Sequence, residues 1–157
     1  DMDIEENGHS FEENARIKAM VVMKATGCAA LADDSGLTVD ALNGAPGIYS
    51  ARYAGGHGDD EANNDKLLEE MAHIPDEQRQ AAYRCAVVLV YPDGRELVGE
   101  GACPGVVLRE RLGHGGFGYD PLFYMPEEHC SMAQLALERK NQISHRARAL
   151  ENLRKKL

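Results

Sequence analysis

The chain has 157 residues, the size of one folded core, and with 43% hydrophobic and 27% charged residues it has the composition of a soluble globular protein. No apolar stretch approaches the roughly 18 residues needed to cross a bilayer, so no membrane partner is expected. The formal charge of −9, from 26 acidic against 17 basic residues, opposes binding to nucleic-acid polymers, although converging cations or a carboxylate-held metal can still receive a small anion.

Ser10 and Glu13 form a capping box and Gly27 is a natural stop, which predicts a helix over Phe11 to Thr26 with Phe11, Ala15, Ala19 and Val22 on its apolar face. Arg16 and Lys24 are left to solvent, and Lys18 lies on the same helix. The run Cys28 to Ala32 is too short for a helix and reads as a buried strand that delivers Asp33-Asp34-Ser35-Gly36 into a loop. Extended structure resumes from Leu37 to Leu42, and a glycine-rich stretch follows. Asp59 or Asp60 can cap a helix over Glu61 to His73.

Alternation from Tyr83 to Tyr91 predicts a strand, Pro92-Asp93-Gly94 a hairpin turn, and Arg95 to Cys103 an antiparallel partner, with Gly105 to Arg109 again extended. Ser131 with Gln134 offers another capping box and a short helix, and Ser144 opens a final helix with Ala147, Leu150 and Leu153 on one face. The expectation is one α/β domain over residues 1–157 with a mixed sheet. Cys28, Cys85, Cys103 and Cys130 form no Cys-x-x-Cys pair and read as reduced core thiols of a cytoplasmic protein. No secretory signal opens the chain, and without an initiator methionine it reads as a fragment.

Asp33 and Asp34 are candidates for chemistry because a carboxylate at a strand end can bind Mg²⁺ or take a proton from water. Neighbours on extended backbone point opposite ways, so one of the two would face a cleft while the other orders the turn or supports it; a solvated pair of loop caps is the alternative. Glu5-Glu6 could complete a metal site, or could simply stabilise the positive end of the following helix. Gly113-His114-Gly115-Gly116-Phe117-Gly118 matches Gly-x-Gly-x-x-Gly, but Tyr119-Asp120-Pro121 follows where a dinucleotide site needs a helix. What remains is a loop displaying the Phe117 ring and the Asp120 carboxylate, suited to stacking on a base and reading its edge; packing of Phe117 into the core is the alternative. Lys140 to Arg146 gathers cations and a hydroxyl around a helix start, a polar recognition edge or else a solvated, salt-bridged face. The histidine and cysteine spacings do not fit zinc, and there is no Gly-x-Ser-x-Gly elbow, which leaves activated water as the nucleophile.

Taken together, FEENARIKA at Phe11–Ala19, LADDSGLTVDALNGAPGIYSARYAG at Leu31–Gly55, GGFGYDP at Gly115–Pro121 and KNQISHRARAL at Lys140–Leu150 resemble the inosine triphosphate pyrophosphatase family, also called dITP/XTP pyrophosphatases. The resemblance covers essentially the whole chain. It implies an α/β subunit with a mixed twisted sheet flanked by helices, two lobes with a central cleft, and a cytoplasmic homodimer. It also implies Mg²⁺-dependent hydrolysis of ITP, dITP and XTP to the monophosphate and pyrophosphate, which cleanses the nucleotide pool.

Residue by residue, the resemblance makes Asp34 the general base and a metal ligand, Glu6 the other metal ligand, and Asp33 and Ser35 their close support, with Ser35 also reaching substrate. Lys18 contacts phosphate. Phe117 stacks on the purine, Gly118, Tyr119 and Asp120 line its pocket, and Lys140, His145 and Arg146 approach the nucleotide, the last two near the 6-oxo group. Arg52 and Tyr53 are further pocket candidates. In this family a loop with a Ser/Thr-Asn-x-x-Lys pattern follows the first strand and holds the triphosphate; nothing ahead of Glu5-Glu6 matches it, so the chain is expected to lack that strand and loop. The competing expectation is therefore a catalytically silent nucleotide-binding or oligomerisation module.

Overall fold

The fold is described from a computed structural model covering residues 8–56 and 58–157. Helix α1 (Phe11–Thr26) has the predicted bounds: Ser10 Oγ accepts from the Glu13 amide, and Gly27 closes the helix in the left-handed region at φ 71°. The Glu13 carboxylate reaches the His9 amide at 2.7 Å, one residue further out than a standard capping box. Then come β1 (Ala30–Val39), α2 (Asp60–Glu70), β2 (Gln80–Val90), β3 (Glu96–Val107), β4 (Phe123–Met125), β5 (Cys130–Ser131), α3 (Leu137–Ile143) and α4 (His145–Arg154).

The strands lie in the order β1-β2-β3-β4-β5. Val106 is paired with Tyr124 and Tyr124 with Ser131, both in antiparallel ladders. The α/β class is as expected, but these strands run antiparallel where the sequence suggested a mixed sheet. The turn between β2 and β3 is tight, with the Tyr91 amide donating to Arg95 O at 2.9 Å, and neighbours joined so closely can only run in opposite directions. β3 continues through Pro104, merging two expected segments, and β4, β5 and α3 were not anticipated. Ser131 and Gln134 do form the predicted capping box, around the single 3-10 turn Met132–Gln134.

The chain divides into two compact units, one of residues 1–35, 84–102 and 145–157, the other of residues 36–83 and 103–144. In the first unit, Ala15 and Ala19 of α1 pack with Ala30, Val88 and Val90. Cys85 and Val87, on the face of β2 opposite to Val88 and Val90, pack with Ala149 and Leu153 of α4. The period-2 alternation of β2 thus supplies two cores, one per face. Val22, expected on the buried face of α1, is exposed, and Arg16 is held by Glu12 and Glu96 instead of standing free.

The second unit is built on Leu37, Val39, Leu67, Met71, Tyr83, Val107, Phe123 and Met132. Its buried Arg79 donates to the carbonyls of Met71, Ile74, Val107 and Leu108, so the guanidinium joins the end of α2 to the β3 margin. Burial of the charge is tolerable because the planar fork meets four acceptors. Among the described residues, no helix is long and apolar enough to cross a membrane. Of the free cysteines, Cys85 and Cys103 are core residues as predicted, Cys130 is half-buried, and Cys28 is exposed, since β1 begins only at Ala30.

Candidate functional site

In the first unit, Asp33 and Asp34 do not end a strand; they lie within β1, which continues to Val39. Acids are tolerated there because each carboxylate meets donors. Asp34 turns toward α1, where Asn14 Nδ2 donates to its Oδ2 at 3.3 Å and Lys18 Nζ stands 3.7 Å from its Oδ1. Asn14 and Lys18 are one helical turn apart, so one face of α1 grips both oxygens. Asn14 is 2% exposed and fixed in turn by the Gly8 amide, which donates to its Oδ1 at 2.8 Å. Sequence reasoning took this face as apolar and passed over Asn14, although the spacing Phe11, Asn14, Ala15, Lys18 places both polar residues on it.

Asp33 points to the opposite face, as strand alternation requires. Its Oδ2 lies 3.2 Å from Arg146 Nε and 4.0 Å from Cys85 Sγ. The pair brings Arg146, at the start of α4, to β1. His145 is the first residue of α4 and half-buried, while Ser35 is exposed on β1. Burial, followed by the Asp33 charge, pushes the Cys85 thiol up to about 12. Alkylation at pH 8 is therefore expected to label Cys28 while Cys85 stays unmodified; peptide mapping that finds Cys85 labelled as fast as Cys28 would contradict the protonated, buried assignment.

In the second unit, Phe117 is 72% exposed, so the ring is not a core residue. Lys140 Nζ sits 4.6 Å from its centroid and also 2.6 Å from Asp120 Oδ2. Asp120, 3% exposed, is held on both oxygens: Tyr83 Oη donates to Oδ1 at 2.9 Å, and the Phe117 amide to Oδ2 at 3.1 Å. Its oxygens thereby help to fix the loop. Gly116 permits this close approach, because a Cβ there would fall 2.2 Å from Asp120 Oδ2.

Tyr119 is buried and donates to Ser50 O at 2.6 Å, so its ring braces the loop from beneath. Both polar backbone groups of Gly118 are bound by α2, through Asp60 and Asn64. Tyr83 and Asn64 are not singled out by the sequence, and Asp60 only as a possible helix cap, a place that Asp59 takes; a tyrosine within an apolar strand is the available signal for the first. Tyr53 donates to Glu70 and Arg52 lies 5.5 Å from the Tyr49 ring centroid, so both weaker candidates are engaged within this unit.

No group of three or more His, Cys, Asp or Glu able to hold a metal occurs among the described residues. Glu6 lies outside them. Asp34 suits a single carboxylate ligand to Mg²⁺, an ion commonly bound by one or two carboxylates with phosphate oxygens and waters completing its shell.

A family model described as the Ham1 family matches residues 1–156. A dITP/XTP pyrophosphatase of Desulforamulus reducens is 54% identical over 149 residues, covering 95% of this chain and 74% of its own length. Another of that name, from Geobacter sulfurreducens, is 54% identical over 152 residues, covering 97% and 76%. Among solved structures, the Staphylococcus aureus Ham1 protein superposes with a TM-score of 0.93 at 46% identity, covering 99% of this chain and 80% of that one. A dITP/XTP pyrophosphatase from Mycobacterium abscessus gives a TM-score of 0.84 at 50% identity, covering 96% and 76%.

Proposed function

Because the chain belongs to the Ham1 family, we propose that it hydrolyses the nonstandard purine nucleoside triphosphates ITP, dITP and XTP to the monophosphate and pyrophosphate. Among structural features, the one that carries this reading is the Phe117 ring, which folding leaves exposed while the backbone beneath it is fixed by Asp120. A large aromatic surface kept in water and held in place is a platform for a planar ligand.

In this reading, Phe117 stacks on the purine, and His145 and Arg146 hydrogen-bond near its 6-oxo group. Donors aimed at a 6-oxo group would face the donors of a 6-amino purine, which disfavours adenine nucleotides. Lys140 steadies the nucleotide beside the ring, Lys18 neutralises phosphate charge, and Ser35 adds a hydroxyl contact. Asp34 accepts the proton of the attacking water as the new bond from oxygen to the α-phosphorus forms and the bond to the pyrophosphate oxygen breaks. Asp34 and Glu6 would hold Mg²⁺, which when bound shields the phosphates and stabilises charge developing in the transition state. That screening lets a chain with net charge −9 bind a triphosphate.

The reading extends to a cytoplasmic homodimer that engages neither nucleic-acid polymers nor membranes; sedimentation velocity would test the dimer. The activity is tested by incubating the full-length protein with Mg²⁺ and either ITP or ATP and separating the products. The expected result is IMP plus pyrophosphate, with ATP cleaved at least about a hundredfold more slowly. Release of a diphosphate and orthophosphate would defeat the assigned bond, and binding of ITP without turnover would favour a silent nucleotide-binding module.

A further inference from the structure

We infer that Asp60 and Asn64, in the first turn and a half of α2, are positioning residues for the purine platform: by holding both backbone polar groups of Gly118 they aim the Phe117 ring. The inference rests on the reading of Phe117 as the base platform. Asp60 Oδ2 accepts from the Gly118 amide at 2.9 Å, and Asn64 Nδ2 donates to Gly118 O at 2.9 Å. The same Nδ2 donates to Asp60 O at 2.8 Å. Two carbonyls facing one atom fix it as the nitrogen of the amide, so this orientation follows from the network. Asn64 is 2% exposed, and a side chain so placed exchanges little with water.

Surface loops ordinarily leave their peptide groups to solvent. Here the Phe117 amide is bound by Asp120, and the amide and carbonyl of the next residue by α2, while the ring between these anchors is exposed. The ammonium of Lys140 lies 4.6 Å from its centroid. Fixing the backbone and leaving the ring uncovered is the arrangement that removes the cost of ordering the loop when a planar ligand arrives. Asp60 and Asn64 belong to no block that carries the family resemblance, and neither offers a group to the reacting phosphate in the reading above.

The two residues call for opposite isosteric substitutions. Asp60→Asn keeps an acceptor for the Gly118 amide, whereas Asn64→Asp replaces a donor by an acceptor facing two carbonyls. Asp60→Ala and Asn64→Asp are expected to raise KM for ITP about tenfold and to weaken inhibition by IMP equally, the size of one lost hydrogen bond. Turnover at saturation and inhibition by pyrophosphate should stay within about twofold, and Asp60→Asn should restore the wild-type KM.

A second arm does not require turnover. The sequence contains no tryptophan, so Phe117→Trp installs a single fluorescent reporter on the loop. Adding Asp60→Ala to that variant should lower the anisotropy of the indole and raise its acrylamide quenching constant about twofold as its backbone anchors are lost, and Asp60→Asn should not. Unchanged anisotropy and quenching would overturn the inference, as would pyrophosphate inhibition weakening in parallel with KM. If wild-type protein does not hydrolyse ITP while the indole still responds to Asp60→Ala, the proposed activity fails and the clamp on the loop stands.

Discussion

Asp34→Asn is expected to lower ITP turnover on the order of a thousandfold, the middle of the range for a general base, while IMP affinity measured by calorimetry stays within about threefold. The substitution keeps the volume and planar shape of the side chain, so β1 need not move. What changes is that the carboxylate oxygen able to take a proton becomes part of a neutral amide. Asn14 and Lys18 meet Asp34 from one face of α1, at 3.3 Å and 3.7 Å, and both are donors. An asparagine can satisfy one with its oxygen, but its amide nitrogen then faces a second donor.

This predicts a modest loss of stability beside the large loss of rate. The comparison with Asp33→Asn separates the two roles. Asp33 faces Arg146 and Cys85 instead of α1, so its substitution should chiefly weaken the ion pair with the start of α4. Arg146 is largely exposed, and such pairs contribute less than about 1 kcal/mol. Turnover of Asp34→Asn within tenfold of wild type would remove this carboxylate from its assigned role. An equal collapse in both variants would show that neighbours on one strand act together.

Much of this architecture was legible because local chemistry marks it. Ser10, Glu13 and Gly27 delimit α1, Pro92-Asp93-Gly94 marks the hairpin, and the opposition of Asp33 to Asp34 follows from strand alternation. The exposure of Phe117 was one of two readings left open by the glycine-rich loop. The residues that hold the site were harder to see. Asp60 resembles any acid at a helix start, and its use as an acceptor depends on Gly118, 58 positions away. Arg79 reads as a surface cation, since its partners are carbonyls, which every residue carries. β1 was expected to stop at its acids because propensity disfavours them in strands, and donors from α1 and α4 override that preference.

The second large effect is expected at a residue with no side chain of its own, Gly101. On the backbone of β3 a Cβ at this position would lie 2.3 Å from Ala149 N and 2.4 Å from His145 O. At Gly99 it would lie 2.4 Å from Ala149 O. These are helix backbone atoms, which cannot rotate aside as a side chain can. α4 is further secured along the strand: Arg148 Nη1 donates to Ala102 O at 2.9 Å, Asn152 Nδ2 to Glu100 O at 2.5 Å and Lys156 Nζ to Val98 O at 2.6 Å. Four helical residues advance about 6 Å and two strand residues about 6.7 Å, so donors at every fourth position meet carbonyls at every second. Gly101→Ala forces the helix away and breaks this register. The expected cost is about 3 kcal/mol, the upper range for overpacking, read as a lowered urea midpoint at unchanged slope. Because α4 begins with His145 and Arg146, the shift should also raise KM for ITP more than it weakens inhibition by pyrophosphate. A midpoint unchanged by Gly101→Ala would mean that α4 does not rest on β3 at this distance, and the placement of Arg146 beside Asp33 would fall with it.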